Sequence, residues 1–167
     1  MADKFITRDP ASGKLAELEA VTAGGTGAQA GRAVALGGDG RLDPSVLPSG
    51  IGADTVVVAA AEALSARDLV TLSSDGARKA SAAATGGDVD GFVTAGVLAG
   101  AQATVFLEGS ISGFTGLTPG QTYFLSEAAG GISATPVTGS GKKHQVVGKA
   151  VSATRLTFER DEPVTLA

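Results

Sequence analysis

His144 is the only imidazole in this chain, and there is no Cys. Thiolate nucleophiles, thiolate metal ligands and disulfides are therefore excluded, and a metal centre or a Ser–His–Asp relay would rest on His144 with carboxylates for company. Lys142 and Lys143 precede it and disfavour its protonated form, so a surface histidine is expected. Glu159, Asp161 and Glu162 are the raw material of an acid–base pair, but beside Arg160 and Pro163 they read as a charged, solvated tail with no cleft implied. Asp88-Val89-Asp90-Gly91 opens like a calcium loop; no carboxylate closes it at the required spacing, and Phe92-Val93 already begins a strand.

Two glycine motifs meet the same difficulty. Gly25-Thr26-Gly27-Ala28-Gln29-Ala30 fits the loosest dinucleotide pattern, G-x-G-x-x-A, with no helix after it to present an N-terminus to a pyrophosphate. Ser140-Gly141-Lys142-Lys143 has the look of a phosphate loop, yet Pro136 stands where the first glycine belongs and Lys143 where the magnesium-binding hydroxyl belongs. A solvated basic turn is the expectation there. Each motif lacks a required partner, so no enzyme active site, no cofactor and no metal site are expected.

The elements that would carry these residues are strands. The chain has 167 residues, enough for one ordinary domain plus an extension. Only 4% of residues are aromatic and Trp is absent, so the core must be built from Val, Leu, Ile and Ala. The 25 glycines follow no collagen period and imply many tight turns. A net charge of −4 without a basic stripe argues against a nucleic-acid partner. No apolar run approaches the roughly 20 residues that span a bilayer, and Met1-Ala2-Asp3-Lys4 lacks the apolar core of a signal peptide, so a soluble cytosolic product with no membrane partner is expected.

Residues 1–52 read as an N-terminal arm. Phe5-Ile6-Thr7 leads through Asp9-Pro10-Ala11-Ser12-Gly13 into Leu15-Ala16-Glu17-Leu18-Glu19-Ala20-Val21, whose alternation predicts the second limb of a β-hairpin. A helix over Lys14 to Ala20 is the competing reading on propensity. A Gly-rich linker containing Ala33-Val34-Ala35-Leu36 follows, and Asp43-Pro44 starts a possible single helical turn. From residue 53 to 167 short runs recur between turn signals. They are Thr55 to Val58, Leu69 to Leu72, Ala77 to Ala80, Gly91 to Ala95, Ala103 to Gly109, Gln121 to Ser126, a weaker Gly131 to Pro136, His144 to Val151 and Arg155 to Glu159. Thr118-Pro119-Gly120 predicts a tight turn, Pro fixing φ at its first central position and Gly taking φ > 0 at its second. One helical candidate remains, Ala59 to Ala66. The fold class expected is all-β, a small antiparallel β-barrel or sandwich with an extended N-terminal β-hairpin arm.

Three stretches together resemble the head-decoration, or cement, and head-fibre proteins of tailed bacteriophages. They are Lys4-Phe5-Ile6-Thr7-Arg8-Asp9-Pro10 running to Val21, Gly40-Arg41-Leu42-Asp43-Pro44-Ser45-Val46-Leu47-Pro48 with Gly50 to Asp54, and Leu117-Thr118-Pro119-Gly120 through Tyr123-Phe124-Leu125-Ser126 to Val147 to Thr154. The resemblance covers most of the chain. It implies a structural virion protein, made in the host cytoplasm and seated as a homotrimer on the outer surface of the capsid, with the major capsid protein as partner. Phe5, Ile6, Leu15, Leu18 and Val21 are the expected apolar anchors of the arm on that partner. A stretched arm of about 50 residues would reach up to roughly 160 Å. The alternative is a tail-fibre or baseplate adhesin whose C-terminal module binds a host glycan, a use for which Tyr123 with Phe92, Phe106, Phe114, Phe124 and Phe158 is a thin aromatic supply.

Overall fold

A computed structural model describes residues 4–9, 11–23, 32–38, 40–47 and 53–167. The chain divides into two compact units, Met1–Gly52 and Ala53–Ala167.

In the first unit β1 (Lys4–Arg8) and β2 (Leu15–Glu19) pair antiparallel, with Phe5 opposite Leu18 and Arg8 opposite Leu15. Asp9 shapes the turn between them. Its carboxylate accepts the Ala11 N–H at 2.9 Å and the Ser12 hydroxyl at 2.6 Å, while its carbonyl accepts the Gly13 N–H at 2.8 Å. This local bonding, with a period-two pattern behind it, outweighs the helix propensity of Lys14 to Ala20. Val21 forms a parallel bridge with Val34, donating to the Ala33 carbonyl at 3.0 Å and accepting from Ala35 at 2.8 Å. Ala33 to Ala35 therefore lies against Val21 rather than serving only as linker. A 3-10 turn spans Pro44–Val46, and the Asp43 carboxylate caps it by accepting the Ser45 N–H at 2.9 Å.

The second unit holds β3 (Thr55–Ala59), β4 (Leu69–Ser73), β5 (Gly76–Lys79), β6 (Gly91–Val93), β7 (Gln102–Phe106), β8 (Gly109–Ser112) and β9 (Thr122–Leu125). It continues with β10 (Ile132–Ser133), β11 (Lys143–His144), β12 (Val146–Ser152), β13 (Arg155–Phe158) and β14 (Val164–Thr165). Two five-stranded sheets form, in the orders β3-β7-β6-β4-β5 and β10-β9-β12-β13-β8, and β11 with β14 makes a separate pair. Every named strand pair is antiparallel. The all-β class expected from the sequence is thus what the structure shows.

Neighbouring residues on a strand face opposite ways, and the first sheet uses both faces. Leu69 and Phe92 point into a core shared with Ile111, Leu125, Val147, Leu156 and Phe158 of the second sheet. Phe92 lies at 5.5 Å from the Phe106 ring and meets Phe158 edge-on at 5.2 Å, tying the sheets together. Val70 and Val93 point the other way, into a smaller core with Ala77, Ala103, Val105 and Leu64. Being buried on both faces is why Leu69-Val70 and Phe92-Val93 read as unbroken apolar pairs.

Close backbone approaches fix two glycines. Gly76, at φ +114°, sits where β5 meets the end of β3 at the Ala60–Ala77 bridge, and a Cβ there would overlap the Ala59 carbonyl oxygen. Gly148 sits at the register shift where β12 pairs β9, and a Cβ there would overlap the Thr157 carbonyl oxygen. Thr118-Pro119-Gly120 forms the expected turn, with Gly120 at φ +84° and the Gln121 N–H donating to the Thr118 carbonyl at 3.1 Å.

Three expectations need correction. Ala59 to Ala66 is not a helix: Ala59 ends β3, Ala60 bridges Ala77, and buried Leu64 exchanges hydrogen bonds of 2.8 and 2.9 Å with Val97. Pairing and burial override alanine-rich propensity there. The run from Ala103 to Gly109 is divided, since β7 ends at Phe106 and β8 begins at Gly109 to pair with β13. The C-terminal residues are not wholly a solvated tail, because β14 pairs Val164 with His144 and Thr165 with Lys143.

Candidate functional site

Among the described residues of the hairpin unit none is fully buried, whereas the second unit holds every buried side chain of the structure's described part. Phe5, Thr7, Ala16 and Leu18 share one half-buried face of the hairpin, with Phe5 directly across from Leu18. The opposite face carries Ile6 at 70% and Leu15 at 75% exposure, one residue pair apart along the ladder. Lys4 and Glu17 flank Ile6 on that face and are bridged at 3.0 Å, both well exposed. Val21 is half-buried at its bridge to Val34. Val34, Leu36 and Leu42 add exposed apolar surface in the same unit. An isolated two-stranded sheet is marginal in water.

A second candidate surface lies in the C-terminal unit around Arg67. Arg67 has φ +76°, and it is the one described residue other than glycine with positive φ. Its conformation is imposed by its neighbours: the Arg67 N–H donates to the Val93 carbonyl at 2.7 Å, and the Ser65 N–H donates to the Asp68 carboxylate at 2.8 Å. The guanidinium carbon stands 5.7 Å over the Phe114 ring centre, and Nη1 donates to the Gly113 carbonyl. Asp68 is committed to Lys79 at 3.3 Å, and among the described residues no carboxylate pairs with Arg67.

Three open concavities lie in this region, two of them bordered by Arg67. One of about 310 Å³ lies between Arg67, Ser65, Phe114 and Thr115. The next, about 430 Å³, runs from Arg67 and Thr94 along Ser110 and Ser112 of β8. A third, about 420 Å³, continues from Thr94 past Val97 to Gln102 and Thr104 of β7. Arg67 borders the first two and Thr94 the second and third. Their walls mix hydroxyls such as Ser65, Thr94 and Ser112 with apolar groups such as Val97, Phe106 and Phe114.

The residues singled out for chemistry are engaged structurally. His144 is half-buried in β11 rather than at the surface, its ring 5.1 Å from that of Phe124, because the pairing with β14 covers it. Lys143 bridges Asp88 at 2.7 Å and Lys142 bridges Glu127 at 2.7 Å. Asp90 accepts the Leu72 N–H at 2.7 Å and anchors the start of β6 to β4. Glu159, Asp161 and Glu162 are exposed, and the backbone N–H groups of Glu159 and Asp161 donate to Val147 and Val146. Among the described residues no group of three or more His, Cys, Asp or Glu side chains is placed to hold a metal ion. The glycine motif Gly25 to Ala30 lies outside the described residues.

Comparison with protein-family models and with curated proteins finds no match. Arg67, Phe114 and Thr94 carried no sequence motif. The one available signal was the Ser65 to Asp68 spacing, which allows the carboxylate to cap its own turn.

Proposed function

We propose that the chain is a structural virion protein that decorates a phage head, its N-terminal arm gripping the major capsid protein and its β unit standing outward. The observation that carries this reading is an arm with no fully buried side chain among its described residues, whose exposed Ile6 and Leu15 share one face. Covering both side chains contributes roughly 3–6 kcal/mol in all, before the cost of immobilising the partners. One arm alone would bind weakly. Three arms of a homotrimer binding together convert weak contacts into stable occupancy through effective concentration, which supports the trimeric state. A partner that binds only the assembled lattice then stabilises it by mass action. No bond is made or broken in this role.

Heads stripped of the protein provide the test. Full-length chain is expected to occupy them and a variant lacking residues 2–22 is not; equal occupancy would sink the reading. Copy number in purified particles separates head decoration from the tail-fibre or baseplate alternative, since decoration needs hundreds of copies and a fibre only a few.

A further inference from the structure

We propose that two copies of this chain join through β3, the strands pairing antiparallel, edge to edge, about a twofold axis at Val56. This contact is separate from the capsid-anchoring arm and does not rest on that reading.

The backbone leaves the edge open. β7 is the sole neighbour of β3 in its sheet. In that register the Leu107 N–H donates to the Asp54 carbonyl and the Ala60 N–H to the Ala101 carbonyl, each at 2.8 Å, so the even-numbered residues aim their backbone groups at β7. Thr55 and Val57 aim theirs away from the sheet, with no partner among the described residues. At Ala59 the edge closes, because the Ala59 carbonyl lies against Gly76 and the Ala61 N–H donates to the Ala77 carbonyl. The open stretch is therefore Thr55 to Val57.

The other edges are guarded. Ala61 and Glu62 cover β5, the Glu62 carboxylate accepting the Lys79 N–H at 2.9 Å. β1 carries Lys4 and Arg8, and β2 carries Glu17 and Glu19. β10, β11 and β14 are two residues long, and the exposed positions of β8 are Gly109 and serines. Thr55-Val56-Val57-Val58 has none of these protections: no charge, no Pro and no register shift, with Val57 at 61% exposure beside exposed Thr104.

That composition selects the occupant. Short, uncharged, β-branched segments pair with identical segments, and a charged strand finds no complementary charge between Thr55 and Ala59. A twofold axis at Val56 sets Thr55 of one copy opposite Val57 of the other, each such pair exchanging both backbone hydrogen bonds, so each copy satisfies the open groups of the other. Asp54, the charge next to the strand, then falls opposite Val58 and not opposite itself. A twofold pair cannot form inside a threefold ring, so in a homotrimer the contact joins copies of different trimers.

The chain has no Cys, so an introduced one reports on its own site alone. Val56→Cys places two thiols across a non-hydrogen-bonded pair with Cα atoms about 4.5 Å apart, within disulfide reach. It is expected to cross-link two full-length copies about tenfold or more faster than Val164→Cys, whose site is more exposed and serves as control. Sedimentation of the unaltered chain at millimolar concentration is expected to give an even number of copies. Val57→Lys is expected to weaken that association about tenfold or more with the unfolding temperature unmoved, since Val57 faces solvent. A single copy or an odd number at millimolar concentration would overturn the proposal, as would undiminished association of Val57→Lys or equal cross-linking at position 164. So would protection of the Thr55 and Val57 amides from hydrogen exchange on heads but not at millimolar concentration, which would give the edge to the capsid protein.

Discussion

The side chain of Gln145 pairs with the backbone of Val89 as a neighbouring strand would: its Oε1 accepts the Val89 N–H at 2.8 Å and its Nε2 donates to the Val89 carbonyl at 3.3 Å. The same Nε2 donates to the Asp161 carbonyl at 3.0 Å. Gln145 is 1% exposed, so one buried amide ties the loop before β6 to the segment after β13. Removing it leaves three backbone groups without their partner as well as a void. Gln145→Ala is expected to cost about 2–4 kcal/mol, read as a lower urea midpoint with unchanged slope. A loss under about 0.5 kcal/mol would mean that water replaces the amide without penalty.

Gly148 and Gly120 separate steric from conformational cost. Gly148→Ala drives a methyl into the Thr157 carbonyl at a sheet pairing, and is expected to lose more than about 3 kcal/mol or to abolish folding. Gly120→Ala meets open space and has only its φ of +84° against it, a cost of about 1–2 kcal/mol. Chemical denaturation of both variants gives the order, and equal losses would contradict the close approach at Gly148.

Ile6→Lys with Leu15→Glu recharges the exposed face of the hairpin. Since both side chains already face solvent, the unfolding transition is expected to move by no more than about 0.5 kcal/mol. Occupancy of stripped heads is expected to fall about tenfold or more, because two apolar contacts are lost and the added charges must be desolvated. Full occupancy by this soluble variant would remove Ile6 and Leu15 from the interface.

Asp9 makes the hairpin turn sensitive to acid. The Ser12 hydroxyl, followed by the Ala11 N–H, holds its carboxyl below the ordinary value of 3.8. A depressed folded-state pKa means that the turn's stabilisation is complete above the unfolded value and is lost as pH falls through the folded one. NMR titration of the Ala11 amide is expected to show a midpoint below 3.8, and Ser12→Ala is expected to move it upward. A midpoint at or above 3.8 in the unaltered chain would show that the bond to Ser12 does not persist in solution.

The strands whose pattern and punctuation are local were legible in the sequence. Phe5-Ile6-Thr7 with its Asp9 turn, Thr55 to Val58, Leu69 to Leu72 with Ser74-Asp75, and Thr118-Pro119-Gly120 before Tyr123 each combine alternation or β-branching with residues that fix φ. Those signals act over a few bonds, so they survive without knowledge of the fold. Strand order was not legible. Ser110-Ile111-Ser112 has one apolar residue and becomes β8 only because β13 lies beside it, and Val164-Thr165 becomes β14 only beside Lys143-His144. Alanine at 59–61 favours a helix until the Ala101 and Ala77 carbonyls accept the Ala60 and Ala61 N–H groups.

The candidate sites divide in the same way. The sequence alone determined alternation along each limb of the hairpin, while the register, Ile6 opposite Glu17 and Arg8 opposite Leu15, put Ile6 and Leu15 on one face and Phe5 and Leu18 on the other. The surroundings of Arg67 did not follow from sequence, because Thr94, Ser112 and Phe114 come from segments distant from the Ser65–Asp68 turn that only the packing of strands and turns brings beside it. Positive φ at Arg67 was decided by hydrogen bonds to Val93 and within the Ser65–Asp68 turn, a balance of distant contacts against local preference that no spacing encodes.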